Sequence, residues 1–242
     1  MKNLITIGLP SKGRLKEKAL AFFNNKGLKV LQGNKERNYF AKIENKSNLK
    51  IIYLHAKEII QRLGDGTLDI GISGLDLLNE SEKNLQDKIS IKKNLDFGNA
   101  NLVVAVPEDW IDVQTVADLE EVAFDIRSKR NTRLRVATKY PNLTNNFLIS
   151  KGVTQYKLIP SLGATETYPF IGSSEIITDI TSTGKTLEDN NLRVLKDGQI
   201  LKSAACLMFA KKKAASLQPF FLQTLNKLQI LKFAHLLKLL NY

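Results

Sequence analysis

The segment Glu175-Ile176-Ile177-Thr178-Asp179-Ile180-Thr181-Ser182-Thr183-Gly184-Lys185-Thr186-Leu187 closes an apolar run with a carboxylate, then adds hydroxyls, a glycine and a lysine. A buried strand ending near Asp179 and a turn that enters a helix would leave backbone N–H groups at the helix start without partners. With the hydroxyls of Thr181, Ser182, Thr183 and Thr186, those groups form a cradle for a phosphate. Asp179 can accept hydrogen bonds from sugar hydroxyls. Gly184-Lys185-Thr186 looks like the end of an NTPase phosphate loop, but that motif needs a glycine five places before Gly184, where Asp179 stands. The plainer reading is a capped helix, since Ser and Thr are common caps. A cap needs one such residue, and this turn has four.

Three other strand-end loops carry polar chemistry. Leu9-Pro10-Ser11-Lys12-Gly13-Arg14-Leu15 sets two cations around a glycine that lets the backbone approach a ligand. Asp69-Ile70-Gly71-Ile72-Ser73-Gly74-Leu75-Asp76 joins two glycines and a serine to a buried strand. Arg135-Val136-Ala137-Thr138-Lys139-Tyr140-Pro141-Asn142-Leu143-Thr144 offers cations, an aromatic ring and polar groups at a helix start. The bland alternatives are an ordinary turn for the first, a capped turn for the second, and core packing for Tyr140.

The elements that must hold these loops alternate. Leu4–Leu9, Leu49–Leu54, Leu68–Ile72, Leu102–Val106, Leu134–Ala137, Tyr156–Ile159, Glu175–Ile180 and Ala204–Phe209 read as strands. Helical spacing runs from about Arg14 to Lys26, over Ala56–Leu63, and through Asn142–Ser150 after Pro141. That alternation predicts an α/β fold with mostly parallel sheets, whose ligands bind at the carboxyl ends of strands. The chain passes to a second lobe across Asn94–Leu102 and returns across Lys185–Leu192. Residues 1–98 with 188–242 then form one lobe and 99–187 the other, with a central cleft between them. The leucine-rich stretch Ala214–Leu240 is loosely periodic and suits either core packing or a partner.

The 242 residues are enough to bury a core, and 43% hydrophobic with 25% charged is a globular mix. No run is long and apolar enough for a membrane span, and the N-terminus lacks a signal-peptide pattern, so a cytoplasmic protein is expected. One cysteine, Cys206, excludes an internal disulfide, and no Cys/His cluster suits zinc. The net charge of +12 raises a nucleic-acid hypothesis, but Lys dominates Arg and the charge is spread over both halves. A lysine-rich surface, or a field that favours polyphosphate substrates, fits better.

Taken in order, the four loops resemble the ATP phosphoribosyltransferase family, the first enzyme of histidine biosynthesis. The likeness spans about residues 4–210, and Arg135–Thr144 and Asp179–Leu187 are its most specific blocks. Leu162-Gly163-Ala164-Thr165-Glu166, Asp96-Phe97-Gly98 and Leu102–Pro107 fall in the expected order. The opening Leu9–Leu15 is similar to the family's Pro-Lys-Gly-Arg-Leu start, with Ser11 as an extra residue.

The resemblance implies a two-lobed fold of the periplasmic-binding-protein type II kind. It implies that N1 of ATP attacks C1 of phosphoribosyl pyrophosphate and pyrophosphate leaves, with Mg²⁺ required. It also implies a short-form chain, a homodimer working with a regulatory subunit that resembles histidyl-tRNA synthetase. On the family's pattern Thr181, Ser182, Thr183, Gly184, Lys185 and Thr186 hold the ribose 5-phosphate, while Asp179 and Glu175 face the ribose hydroxyls. Lys12, Gly13, Arg14, Ser73 and Gly74 meet phosphates, and Arg135, Thr138, Lys139 and Tyr140 help to place ATP. No acid/base residue and no dedicated metal site is implied. One departure stands out. The family's Arg-x-x-Asp-Ile-Pro reads His55-Ala56-Lys57-Glu58-Ile59-Ile60 here, leaving Lys57 or Arg37 as substitutes for the arginine and His55 as a helix-start residue. The rival reading is a non-enzymatic small-molecule binding protein of the same fold.

Overall fold

The computed structural model describes residues 4–32 and 39–211. They divide into two compact units, the first running to Gly98 and resuming at Ala204, the second spanning Asn99–Ser203. The first unit begins with β1 (Ile5–Pro10), α1 (Gly13–Asn25), β2 (Val30–Gln32), β3 (Phe40–Ile43) and β4 (Lys46–Leu54). It continues with α2 (Ala56–Gly64), β5 (Ile70–Gly74), α3 (Leu75–Glu80), α4 (Lys83–Gln86) and β6 (Ile89–Asn94). The second unit holds β7 (Ala100–Pro107), α5 (Val116–Arg130), β8 (Leu134–Thr138), α6 (Pro141–Ser150) and β9 (Tyr156–Pro160). A 3-10 turn at Thr165–Thr167, β10 (Ile176–Thr181), α7 (Lys185–Glu188) and β11 (Leu192–Ser203) complete it, and the chain re-enters the first unit as β12 (Ala205–Ala210).

Period-two burial builds the first sheet, ordered β2-β3-β4-β1-β5-β12-β6. Leu49, Ile51 and Tyr53 of β4 join Ile7 and Leu9 of β1 under Ala19 and Phe23 of α1. Ile52 and Leu54 point the other way and pack with Ile59, Ile60 and Leu63 of α2. Both faces are therefore covered, which is why the central strands read as continuous apolar runs. Full burial of one large side chain such as Phe23 contributes about 1.5–3 kcal/mol.

The second sheet is ordered β11-β7-β10-β8-β9. Its larger core packs Val104, Val106, Val136 and Ile176 against Leu119 of α5 and Leu148 of α6. Helix α5 starts where Asp118 accepts the backbone N–H groups of Gln114 and Thr115 at 2.8 and 2.7 Å, which holds its carboxyl below the usual range. It ends at Asn131 in the left-handed conformation, φ +52°.

The α/β class and the strand–helix alternation agree with the sequence reading. Three features differ. The sheets are mixed rather than mostly parallel: β1, β4 and β5 are parallel, as are β8, β9 and β10, while β2, β3, β6, β7, β11 and β12 pair antiparallel. The return crossover lies at Ser203/Ala204, not at Lys185–Leu192, because residues 192–203 form β11 against β7. A register shift between Val194 and Gln199 breaks the alternation that would have exposed this strand. The strand expected over Glu175–Ile180 is displaced by one residue, to Ile176–Thr181. The stretch Ala214–Leu240 and Arg37 lie outside the described residues. Among the described residues no helix is long and apolar enough to cross a membrane.

Candidate active site

Parallel pairing sets where the polar loops meet. In the second unit β8 pairs in parallel with β10 and with β9, so the loops after Thr138, Pro160 and Thr181 leave the same edge of the sheet. Antiparallel β7 starts at that edge, with Asn101 opposite Thr181, and β11 ends there, with Lys202 opposite Asn101. Asp179 stands near the end of β10. Its Oδ1 accepts the N–H of Ile180 at 2.8 Å, and its Oδ2 lies 3.7 Å from Lys139 Nζ. That distance is an ion pair without a direct hydrogen bond, so both groups keep bonding capacity. The Asp179 side chain is 13% exposed and that of Lys139 is 35% exposed.

The turn after β10 folds on itself. Thr181 Oγ1 accepts the Gly184 N–H at 2.9 Å, and Thr183 Oγ1 accepts the Lys185 N–H at 3.4 Å. Gly184 adopts φ +82°, a conformation that costs glycine little and other residues more. The hydroxyls thus cap two of the N–H groups that the sequence reading had left open for a phosphate. What the turn presents outward is Ser182, Thr183, Lys185 and Thr186, all exposed, while Leu187 is buried and anchors it. Helix α7 has four residues, so the turn's attraction for an anion comes from the lysine and the hydroxyls rather than from a helix dipole.

Two expected residues fall elsewhere. Glu175 precedes β10 and Arg135 lies near the start of β8, toward the opposite edge of the sheet. Arg135 Nη2 donates to Glu175 Oε1 at 2.6 Å, its Nε donates at 3.1 Å, and its backbone N–H meets Oε2 at 2.6 Å. Nη1 donates to the Gly172 carbonyl at 2.8 Å. The hydrogen bonds to Glu175 raise the Arg135 pKa above its ordinary value, and the pair is mutually satisfied. Four residues of extended chain separate Glu175 from Asp179, about 13 Å at strand rise. Glu175 and Arg135, expected at the ligand, form a cross-strand clamp set apart from Asp179. Thr138 and Tyr140 are buried, 1% and 7% exposed, and Thr138 Oγ1 accepts the Tyr140 N–H at 2.9 Å. Tyr140 packs in the interior, the plainer of its two readings.

In the first unit β1 is parallel to β4 and β5, so the loops after Pro10, Leu54 and Gly74 share one edge. Lys12, Gly13 and Arg14 are exposed there. Lys12 is the N-cap of the 13-residue α1 with no side-chain cap, and the first turn holds no acidic residue. The backbone N–H groups of that first turn suit an anion. Ser73 is fully buried and its Oγ donates to the Ala56 carbonyl at 2.8 Å, so its hydroxyl braces α2 instead of facing solvent. At Gly74 a Cβ would clash with Asp76 Oδ1, so the glycine makes room for that carboxylate. His55 is an exposed helix N-cap whose Nδ1 accepts the Lys57 N–H at 3.3 Å.

Sequence reasoning left Asp96 out of the site, although Asp96-Phe97-Gly98 had been noticed. Pairing places this segment at the same edge, where Phe97 O accepts the Ala205 N–H at 3.0 Å and Ala205 pairs with Gly74. It also missed Thr178, buried one residue before Asp179. The thiol of Cys206 sits in this unit's core. Burial, then the Asp76 carboxylate, pushes it up to about 11. Among the described residues no three His, Cys, Asp or Glu side chains gather to hold a metal.

Two α/β units with mixed sheets of this order share the fold of type II periplasmic binding proteins. The probable amino-acid ABC transporter extracellular-binding protein YtmK of Bacillus subtilis shares the fold, with a TM-score of 0.55 at 12% identity over 95% of this chain and 92% of that one. The ATP phosphoribosyl transferase (HisG:HisZ) complex from Thermotoga maritima matches with a TM-score of 0.73 at 24% identity, over 93% of this chain and 97% of that one. The sequence model of ATP phosphoribosyltransferase (HisG) matches residues 55–230. The ATP phosphoribosyltransferase of Brucella melitensis biotype 2 is 48% identical over 213 residues, 88% of this chain and 92% of its own length. That of Brucella anthropi is 48% identical over 209 residues, 86% of this chain and 90% of its own length. The chain belongs to the ATP phosphoribosyltransferase family. It is a transferase enzyme of histidine biosynthesis, and the likeness to binding proteins is one of fold alone.

Proposed function

We propose that the carboxyl edge of the second sheet binds phosphoribosyl pyrophosphate and that the loops of the first sheet bind phosphates of ATP. The reaction is the family's: N1 of the adenine attacks C1 of the ribose, the C1–O bond breaks, and pyrophosphate leaves with its electron pair. Thr181, Ser182, Thr183, Gly184, Lys185 and Thr186 hold the 5-phosphate, Asp179 accepts hydrogen bonds from the ribose hydroxyls, and Lys139 faces the anionic leaving group. Lys12, Gly13 and Arg14, with the backbone at Ser73 and Gly74, receive phosphates of ATP. Arg135 and Glu175 act by clamping β8 to β10, and Thr138 and Tyr140 by shaping the loop that carries Lys139.

Adenine N1 bears no proton to be removed before attack, so no general base is needed. The rate comes from alignment of the two anions and from the Asp179 carboxylate near a ribosyl centre that gains positive charge. Mg²⁺ carried by the substrate phosphates would supply charge neutralisation at the pyrophosphate, on the side that Lys139 faces. The chain assembles as a homodimer with a regulatory subunit resembling histidyl-tRNA synthetase. That reading rests on the family resemblance and on the solved HisG:HisZ complex it matches. A biosynthetic role with these soluble substrates supports a cytoplasmic location.

The observation that carries this reading is the loose Asp179–Lys139 pair beside an exposed hydroxyl turn, in a chain 48% identical to known members of the family. The test follows phosphoribosyl-ATP by absorbance with ATP, phosphoribosyl pyrophosphate and Mg²⁺, with and without the regulatory subunit. Product formation that collapses in Asp179→Asn supports it. No product from the wild-type chain with the subunit present overturns it.

A further inference from the structure

Three threonine hydroxyls meet in the interior of the second unit, directly under the proposed phosphoribosyl site. Thr138 ends β8, Thr144 lies in the first turns of α6, and Thr178 precedes Asp179 on β10. All three are at most 1% exposed. Their Oγ1 atoms are 3.1 Å apart for Thr138 and Thr144, 2.7 Å for Thr144 and Thr178, and 2.6 Å for Thr178 and Thr138.

Proton counting fixes the direction of each bond. The geometry makes Thr178 the donor to Thr138. A hydroxyl has one proton, so Thr178 must accept from Thr144, and Thr144 in turn must accept from Thr138. The result is a closed ring in which each hydroxyl donates once and accepts once. Thr138 accepts a second bond, at 2.9 Å, from the Tyr140 N–H, next to Lys139. Circular hydrogen bonds in an apolar interior reinforce one another, and a gap leaves a buried donor or acceptor unpaired. The chain joins this ring to both halves of the site, since Lys139 follows Thr138 and Asp179 follows Thr178.

We propose that the threonine ring is a positioning device for phosphoribosyl pyrophosphate binding: it fixes the spacing of Lys139 and Asp179 across β8 and β10, with Thr144 as the member carried by α6 and not adjacent in sequence to either charged residue. This deepens the reading of the site given above and rests on it. The ring couples the pair to α6, so its loss would misplace the charged groups without removing them.

The test replaces Thr144 with Val, which keeps the shape and deletes the hydroxyl, and with Ser, which keeps the hydroxyl. For Thr144→Val we expect a KM for phosphoribosyl pyrophosphate raised about tenfold. The KM for ATP should stay within twofold, and the circular dichroism spectrum should be native. Thr144→Ser should restore the wild-type KM. Equal KM values for phosphoribosyl pyrophosphate in Thr144→Val and wild type would overturn the proposal. So would equal losses for both substrates, or a Ser variant no better than Val. If Val unfolds the chain, Thr178→Val takes its place and Thr178→Ser is its control, with the same expectations. Asp179→Asn, run in parallel, separates the two ideas. An unaffected Asp179→Asn defeats the site itself, whereas a weakened Asp179→Asn beside an unaffected Thr144→Val defeats only the ring.

Discussion

Strands β8 and β10 are bridged by two ion pairs, one toward each end, and the two are built differently. Arg135 and Glu175 meet in several bonds as short as 2.6 Å, and a third partner, the Gly172 carbonyl, takes another guanidinium donor. Lys139 and Asp179 stand 3.7 Å apart. A guanidinium fork matched to a carboxylate holds fixed geometry, while a lysine on a flexible stem holds a charge in a neighbourhood. At the amino edge the charged groups are spent on each other. The carboxyl edge, where parallel sheets bind ligands, keeps a carboxylate, an ammonium and a turn of exposed hydroxyls in reserve.

Substitutions should break the two bridges in different ways. The largest effect on catalysis is expected for Asp179→Asn, which removes the charge facing the ribose. Its kcat/KM for phosphoribosyl pyrophosphate should fall about 100-fold in steady-state assays with ATP saturating. Lys139→Met should lower the same parameter about tenfold, with the loss shrinking as salt is raised because the interaction is partly exposed. Thr183→Val should cost several-fold in phosphoribosyl pyrophosphate use, roughly one hydrogen bond, and leave ATP use unchanged. Glu175→Gln should act on stability instead. Thermal unfolding should show a loss of about 1–2 kcal/mol, discounted because the Arg135 side chain is 39% exposed, with kinetic constants within twofold.

The smallest effect concerns Cys206, held protonated up to about 11 against an ordinary value of 9.0. Alkylation at pH 8 should be slow in the native chain and fast after denaturation. The folded state keeps the proton that the unfolded state loses. This contribution to stability is therefore full below pH 9 and is lost as pH rises toward 11.

The sequence showed the loops better than it showed what their residues touch. The run Asp179–Leu187 displays its hydroxyls, glycine and lysine in order, and the exposed turn was legible from that pattern. Arg135 and Glu175 have the right chemistry for a ligand site, but they lie toward the other ends of their strands. A strand advances about 3.3 Å per residue, so a few positions along it cross the sheet from one edge to the other. Ser73 and Thr138 illustrate a second limit. A hydroxyl beside a glycine or a lysine looks available in sequence, yet in three dimensions one meets the Ala56 carbonyl and the other its fellow threonines. The strand β11 was hidden for a local reason, the irregularity around Asp197-Gly198 that interrupts period-two patterning and moved the unit boundary to Ser203. The central strands, by contrast, were legible because burial on both faces demands uninterrupted apolar residues.

Calorimetric titration of phosphoribosyl pyrophosphate with Mg²⁺ into the wild-type chain, Asp179→Asn and Glu175→Gln, at one salt concentration, tests the division between the two edges most directly. The Kd should rise at least tenfold in Asp179→Asn and stay within twofold of wild type in Glu175→Gln. Equal weakening in both variants, or weakening only in Glu175→Gln, would contradict a ligand-binding carboxyl edge opposite a structural amino edge.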